Sequence, residues 1–422
     1  MTISNTAGLP ATGTDWDTLK RELIERKKND LDWRRGRLPA YIYYYDEALQ
    51  RVQSEAYALY AVENALGEGK VFKSLTTMLA DIAAMAREIF NAPAGSGMSF
   101  TSGGTESLVE AVRSARNCFR ARHPGRSGRL NVVAPLSAHA ALNKAGEVLD
   151  IDIVRVPLAG EWRADVDAMA RAINEHTAML FGSAPCFPYG VFDPIERLGA
   201  LALERSLWLH VDGCWGGFIS PFAKRLGYPI PPWDLSVPGV TTVSADIHKF
   251  GFAAKGASLL LFREEALRKF ERFEFSGWPR GTYATPTFLG SRPAGAIASA
   301  WAVMNYLGWE GYLKTTKATM DATVGFIHGI DAISGLRCLR PIGESNLFAF
   351  ISEDPRVDIM AVADELLGRG WFPGRLREPL AIQQGVNPVH LPIVDEYVGE
   401  VAAAVARVRA AGHAGTYKEG TY

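Results

Sequence analysis

The stretch VTTVSADIHKFGFAAKGASLLLF, residues 240–262, decides how the chain is read. Apolar runs at residues 240–243 and 257–262 flank a turn that carries His248, Lys249 and, six residues further on, Lys255. Runs of this length between turn residues predict two buried strands. Cations held in a turn between buried strands carry a desolvation cost that calls for a compensating role. A lysine sheltered at such a place can lose its proton and become a nucleophile.

Outward from this stretch, short apolar runs alternate with helical patterns. Strands are expected at residues 131–134, 151–156, 178–182, 207–211, 241–244 and 258–262. An amphipathic helix is expected over residues 165–176, with Val166, Met169, Ala170 and Ile173 on one face. Another starts at Asp193-Pro194, with proline at the first helical position, and runs to about Arg205. This alternation predicts an α/β fold, a mostly parallel sheet flanked by helices. Sites in such sheets form beyond the carboxyl ends of the strands. Past residue 310 the pattern changes: helices over 358–369 and 395–411, with strands at 380–383 and 389–391, predict a smaller α+β C-terminal domain. The expected division is an N-terminal arm and helical segment over 1–70, a large domain over 71–310 and a small one over 311–422. Residues 1–15 read as a loose arm and 16–65 as largely helical. The aromatic cluster Tyr41-Ile42-Tyr43-Tyr44-Tyr45 reads as packing against the body or a partner subunit.

Composition narrows the class. The 422 residues are 48% hydrophobic and 22% charged, as in a globular protein with a large core. A formal net charge of -1 gives no basic excess for nucleic acid or a membrane surface. Cys118, Cys186, Cys214 and Cys338 are scattered without a CxxC pair, which argues against a metal or disulfide framework and for a reducing compartment. The first residues have no signal-peptide pattern, and no apolar run approaches the roughly 18 residues of a spanning helix. The expectation is a cytoplasmic protein with no transmembrane segment.

Two other stretches carry chemistry. In LHVDGCWGGF, residues 209–218, an apolar strand ends at Asp212 and glycines then permit close backbone packing. A buried aspartate needs a positive or proton-donating partner. A pyridinium nitrogen is one; a helix cap or satisfied core acid is the plain alternative. In FTSGGTESLVEAVRSARN, residues 100–117, apolar positions 108, 109, 111, 112 and 115 make a helical stripe, with Ser102-Gly103-Gly104-Thr105 at its entrance. Glycine amides and a threonine hydroxyl at a helix N-terminus form an anion site; a simple glycine-rich cap is the alternative. The sequence is neither a GxGxxG nor a Walker motif. An anion cradle, an acid for a ring nitrogen and a lysine for an aldehyde, taken together, fit one cofactor, pyridoxal 5′-phosphate.

The segments TSGGTES (101–107), HVDGCWGGF (210–218) and SADIHKFGFAAKG (244–256) resemble the group II pyridoxal-phosphate decarboxylase-related family, and above all its sphingosine-1-phosphate lyase branch. The resemblance continues in SAHAALNKAGEVLDI (137–151), GSAPCFPYGVFDPI (182–195) and YATPTFLGSRPAGAIASAWAVMNYLGWEGYLKTTK (283–317). It implies the fold-type I architecture of pyridoxal-phosphate enzymes. It also implies that Lys249 forms the Schiff base with the cofactor, that Asp212 pairs with the pyridine nitrogen and that His139 stacks on the ring. Gly104, Thr105 and His248 are implied to hold the cofactor phosphate, joined by Ser291 from the neighbouring subunit of a homodimer with shared sites. Lys255 is implied to contact a substrate phosphate, and Tyr43 and Tyr44 lie near the family's substrate-binding tyrosine.

The implied reaction is carbon–carbon bond cleavage by a retro-aldol step. A phosphorylated sphingoid base would give a fatty aldehyde and phosphoethanolamine. The alternatives are an amino-acid decarboxylase, an aldolase-type lyase on a smaller β-hydroxy amino substrate, and an inactive homologue, against which Lys249, Asp212, His139 and Thr105 argue. The chain departs from the lyase pattern at NALGEGKVFKSL (64–75), where Gly67 stands in place of the NPLH histidine. It departs again at APCFPYG (184–190), where Cys186 and Tyr189 replace glutamine and histidine. Cys186 and Cys214 read as packing residues rather than nucleophiles.

Overall fold

A computed structural model describes residues 8–339, 341, 343–412 and 414–415. Its centre is a seven-stranded sheet of β1 (Gly97–Thr101), β2 (Asn131–Pro135), β3 (Asp152–Val156), β4 (Thr177–Ser183), β5 (Trp208–Asp212), β6 (Thr242–Ala245) and β7 (Ser258–Phe262). The spatial order is β1-β7-β6-β5-β4-β2-β3. Strands β2, β4, β5, β6 and β7 are buried along their whole length. Coverage on both faces explains why they read as continuous apolar runs rather than alternating ones. The six expected strands all form, and the sheet is mostly parallel. Strand β1, of sequence GMSFT, has too little apolar patterning to stand out and was not among the expected strands.

Strand β7 runs antiparallel to both of its neighbours, β6 and β1. Its amino end therefore lies at the edge where β1, β5 and β6 have their carboxyl ends. This reversal brings the segment just before β7, including Lys255, to the same rim as the segment just after β6, including Lys249.

The helix Gly104–Arg122 follows β1 and buries Leu108, Val109, Ala111, Val112 and Ala115, the expected stripe. The helix expected over 165–176 is shorter, Val166–Ala172, because Ile173 turns to an extended backbone. The next helix runs Ile195–Arg205, with Pro194 at its N-cap rather than inside. Asp193 does not cap it. Its carboxylate instead accepts from the amides of Ala164 (2.8 Å) and Ser183 (2.7 Å).

The last third is built on a long helix, Ala294–Asp331, interrupted at Gly308 by a backbone of φ 52° and ψ -167°. A four-stranded antiparallel sheet lies beyond it: β10 (Leu336–Cys338), β11 (Leu347–Ser352), β12 (Gly374–Leu376) and β13 (Ala381–Gly385), in the order β10-β11-β13-β12. Helices Ile359–Gly368, capped by Asp358, and Val394–Ala411 complete an α+β unit with its own apolar cluster. The expected strand at 389–391 is instead a 3-10 turn, Pro388–Ile393. Pro388 at its first position and the Asn387–His390 capping box favour that turn over a ladder.

Residues 16–65 are helical in two pieces, Trp16–Arg26 and Glu47–Leu59, and the aromatic cluster lies between them. The hairpin β8–β9 (Phe273–Trp278 and Gly281–Thr285) stands off the body, with every residue of its first strand exposed.

Candidate active site

Four strand ends converge on one rim of the large sheet. Asp212 ends β5, and Asp246, His248 and Lys249 follow β6. His139 follows β2, and Ser183 and Pro185 lie at and after the end of β4. All of these but Asp246, together with Tyr41, Tyr43, Phe187, Cys214, Trp215 and Lys255, line a cavity of about 210 Å³. Of the residues expected from sequence, the structure thus brings Lys249, Asp212, His139, His248, Lys255 and Tyr43 together around one space.

Lys249 Nζ lies 2.9 Å from Asp246 Oδ2, and that side chain of Asp246 is 2% exposed. Burial pulls the lysine pKa down, but the adjacent carboxylate outweighs it and holds Lys249 well above its ordinary value. Asp246 shows the reciprocal effect. Burial raises its pKa, while Lys249, His248 and a 2.6 Å bond from Ser258 Oγ bring it below the usual carboxylate range. Both shifts favour the charged forms, an ammonium on Lys249 facing a carboxylate on Asp246. Asp246 escaped the sequence reading although it lies three residues before Lys249. Nothing in the one-dimensional pattern shows that the turn folds the two side chains together.

Asp212 is 8% exposed, and its Oδ1 accepts from Cys214 N (3.0 Å) and Ser244 Oγ (3.3 Å). His139 accepts at Nδ1 from Ala141 N (3.1 Å), and burial lowers its pKa, which favours a neutral, flat ring. His248 accepts at Nδ1 from Ala257 N (3.3 Å) and presents Nε2 to Asp246 at 3.5 Å. Lys255 Nζ donates to His248 O (3.0 Å) and lies 4.3 Å over the Tyr43 ring. Burial and then the like charge of Lys249 push its pKa down to about 8. Trp215, a second residue the sequence reading missed, donates to Asn346 Oδ1 (2.9 Å) and packs edge-on against Tyr43 and Phe250.

The anion cradle is beside this cavity. Gly103 is the N-cap of the 19-residue helix that follows, and no side chain caps that end. The first amides of an α-helix have no intrahelical partner, so they are available to an anion. A Cβ on Gly104 would lie 2.6 Å from Cys214 Sγ and 3.1 Å from Asp246 Oδ2, so only glycine lets the helix start approach this closely. A Cβ on Gly103 would meet His248 Cε1 at 3.4 Å. Gly104 and Thr105 thus open an uncapped helix beside the Lys249 turn, and this cradle fits a phosphate attached to a ring that reaches Lys249 and Asp212.

The remaining expected residues lie elsewhere. Tyr44 does not line the cavity; its hydroxyl donates to Glu47 Oε1 (3.0 Å), within a surface cluster that includes Arg34. Tyr41 takes a place on the wall instead. Ser291 is outside the cavity too, and accepts from Asn64 Nδ2 at 2.8 Å. Gly67 lies in the same N-terminal segment as Asn64, and the Phe72 ring sits 3.0 Å from where a Cβ would be, so a side chain at that position would have to displace the ring. Tyr189 stacks on Trp162 at 4.9 Å and donates to Glu378 O. Cys186 and Cys214 are buried thiols whose pKa burial raises, to about 12 for Cys186, which makes them packing residues. Among the described residues no helix is long and apolar enough to cross a membrane, and no group of side chains has the makings of a metal site.

Residues 72–334 match the pyridoxal-dependent decarboxylase conserved domain. The chain is 37% identical over 415 residues to a sphingosine-1-phosphate lyase of Arabidopsis thaliana, covering 96% of this chain and 75% of that protein. It is 33% identical over 293 residues to a probable L-tyrosine/L-aspartate decarboxylase of Methanosarcina mazei, covering 69% of this chain and 71% of the other. The solved structure of a Burkholderia pseudomallei sphingosine-1-phosphate lyase superposes with a TM-score of 0.91 at 34% identity, covering 96% of this chain and 94% of that one. A glutamate decarboxylase of Lactobacillus brevis, at 18% identity and a TM-score of 0.84, shares the fold. With its cradle, paired aspartate and turn lysine on one rim, the chain belongs to the pyridoxal-dependent decarboxylase family and is a pyridoxal-phosphate-dependent lyase.

Proposed function

We propose that this enzyme cleaves the Cα–Cβ bond of a phosphorylated long-chain β-hydroxy amine, releasing a fatty aldehyde and phosphoethanolamine. The observation that carries this is the placement of two lysines on one cavity: Lys249 for the cofactor and, on the same rim, Lys255 for an anion. Pyridoxal phosphate supplies an aldehyde for the substrate amine and a ring that accepts an electron pair when a bond to the α-carbon breaks.

The chain's own groups do the rest. Gly104, Thr105 and His248 would hold the cofactor's phosphate. Asp212 would offer its carboxylate to the ring nitrogen and favour its protonated form, and the ring of His139 would offer a flat face. Lys255 provides a point charge suited to phosphate. Lys249 Nζ and the Tyr43 hydroxyl are the groups on the cavity that can take the β-hydroxyl proton and return one to the α-carbon. The aromatic wall of Tyr41, Tyr43, Phe187 and Trp215 suits an apolar chain.

A homodimer with shared sites forms part of this reading. Ser291 lies outside the cavity of its own chain, and its loop adjoins an apolar surface with Phe273, Phe275, Trp278 and Phe288 exposed. A second cavity of about 1030 Å³ beside that loop is lined by Leu66, Lys70, Trp278, Arg280 and Arg292. An exposed aromatic patch of this kind is characteristic of an interaction surface, and a second copy that supplies Ser291 would complete both sites. The buried thiols of Cys118, Cys186 and Cys214 accord with a cytoplasmic location.

Product identification by mass spectrometry tests the substrate. Holoenzyme is incubated with sphingosine-1-phosphate, amino acids and smaller β-hydroxy amines. Paired aldehyde and phosphoethanolamine, absent with Lys249→Ala, are expected. Carbon dioxide from an amino acid, or an aldehyde only from a small amine, would replace the substrate while keeping the cofactor chemistry.

A further inference from the structure

Glu106 is the third residue of the helix Gly104–Arg122, and it is 8% exposed. An acid in a first helical turn is ordinarily accounted for by the helix dipole. Such an acid normally faces water. The carboxylate of Glu106 instead joins two segments far apart in sequence. Its Oε2 accepts from Ser102 N at 2.6 Å, in the anion cradle, and its Oε1 accepts from Leu289 N at 3.1 Å, two residues before Ser291. The same loop is fastened on its far side by Asn64. That side chain donates to Ser291 Oγ (2.8 Å) and accepts from Arg292 N (3.2 Å). The loop is therefore held between two clamps, and the Glu106 clamp leads back to the cradle.

We propose that Glu106 is a positioning residue that braces each subunit's own phosphate cradle to the Ser291 loop, which it lends to the other subunit. This rests on the shared-site reading given above. Where Ser291 completes the neighbouring site, one carboxylate supports the phosphate contacts of two sites: its own through Ser102, and the other through Leu289. Charge-assisted bonds from backbone amides are directional and about twice as strong as neutral ones, so the carboxylate fixes the distance between the two segments.

Mixed dimers separate these effects. Each contains one wild-type subunit, which has the only Lys249, and one partner carrying Lys249→Ala alone, with Glu106→Ala, with Glu106→Gln, or with Ser291→Ala. The readout is the pyridoxal phosphate dissociation constant at the single lysine-bearing site, followed by the visible absorbance of lysine-bound cofactor. Loss of a charge-assisted brace predicts about tenfold weaker binding with Glu106→Ala in the partner, although every cradle residue of the measured site is wild type. Glu106→Gln, which keeps the volume and one acceptor, should give a smaller loss and carries the test if the alanine variant does not assemble. A purely structural role would lower the unfolding temperature of the altered subunit and leave the wild-type site unchanged. An unchanged constant with either Glu106 variant, alongside a weakened one with Ser291→Ala, overturns the brace. An unchanged constant with Ser291→Ala overturns the shared-site reading itself, and the brace with it.

Discussion

Lys255 offers a sharp test of the substrate's anionic group, because its charge is held at the edge of what burial allows. Burial, followed by repulsion from Lys249, lowers its pKa to about 8. Against this, the residue itself is exposed in the single chain. Water therefore screens part of the effect, which leaves the direction: below the ordinary lysine value. The perturbation is pH, between 7 and 10, together with Lys255→Met. A phosphate monoester loses its second proton with a pKa of about 6, so it is a dianion throughout this range and does not titrate. The quantity to measure is the ratio of kcat/KM for the phosphorylated substrate to that for its unphosphorylated counterpart. Taking the ratio cancels titrations that affect both, such as those of Lys249 and the substrate amine. A charge-assisted contact contributes about 1.5–3 kcal/mol, which corresponds to a ratio of roughly 10 to 150 while Lys255 is protonated. The ratio should be flat near pH 7 and fall toward one as pH rises through the lysine pKa. In Lys255→Met it should be low at every pH. A ratio that survives in Lys255→Met would refute the assignment of Lys255 to the substrate anion.

Other perturbations probe the cradle and the core. Gly104→Ala places a methyl 2.6 Å from Cys214 Sγ, and should weaken pyridoxal phosphate binding at least tenfold in an absorbance titration; normal affinity would remove Gly104 from the cradle. Asp246→Asn takes away the charge that raises the Lys249 pKa, so the pH midpoint for capture of the cofactor should move down; an unmoved midpoint would show that Asp246 does not hold the ammonium. Burial raises Glu271 from 4.5 to about 8, despite Arg268 at 3.9 Å. The folded state thus keeps a proton that the unfolded chain releases, and stability should decline as pH rises from about 4.5 to 8. Glu271→Gln should lessen that decline, as read by Tm across the window; an equal decline in the variant would assign the pH dependence elsewhere. Trp215→Phe removes the donor to Asn346 Oδ1 and should loosen the aromatic wall, raising KM more than it lowers kcat; the opposite pattern would place Trp215 in the chemistry.

Much of the site was legible because its residues lie at strand ends, where one-dimensional patterns are strong. Asp212 closes an apolar run, Lys249 follows another, and Gly103-Gly104 precede a clear helical stripe. Asp246 was in plain view three residues before Lys249, but an acid in a turn has no signature until the turn is folded. Tyr41 and Tyr44 exchanged places relative to expectation because a run of aromatic residues has no register of its own. The 3-10 turn at Pro388–Ile393 covers the strand expected over 389–391, where apolar Val389 and Leu391 flank a polar residue as they would in a strand. Proline placement, rather than hydrophobicity, decided the backbone there.

The sequence by itself determined the α/β class, the succession of buried strands and the presence of a cradle, an acid and a lysine for one cofactor. These follow from local patterning: apolar run length, glycine at a helix start, and charged groups immediately after strands. Only the tertiary structure decided that β7 reverses and carries Lys255 to the rim of Lys249, and that Asp246 forms an ion pair with that lysine. It also decided that Glu106 joins Ser102 to a loop 183 residues away in sequence. Strand direction and long-range hydrogen bonds depend on which segments share the core, and that is settled by burial of the whole chain rather than by any short stretch.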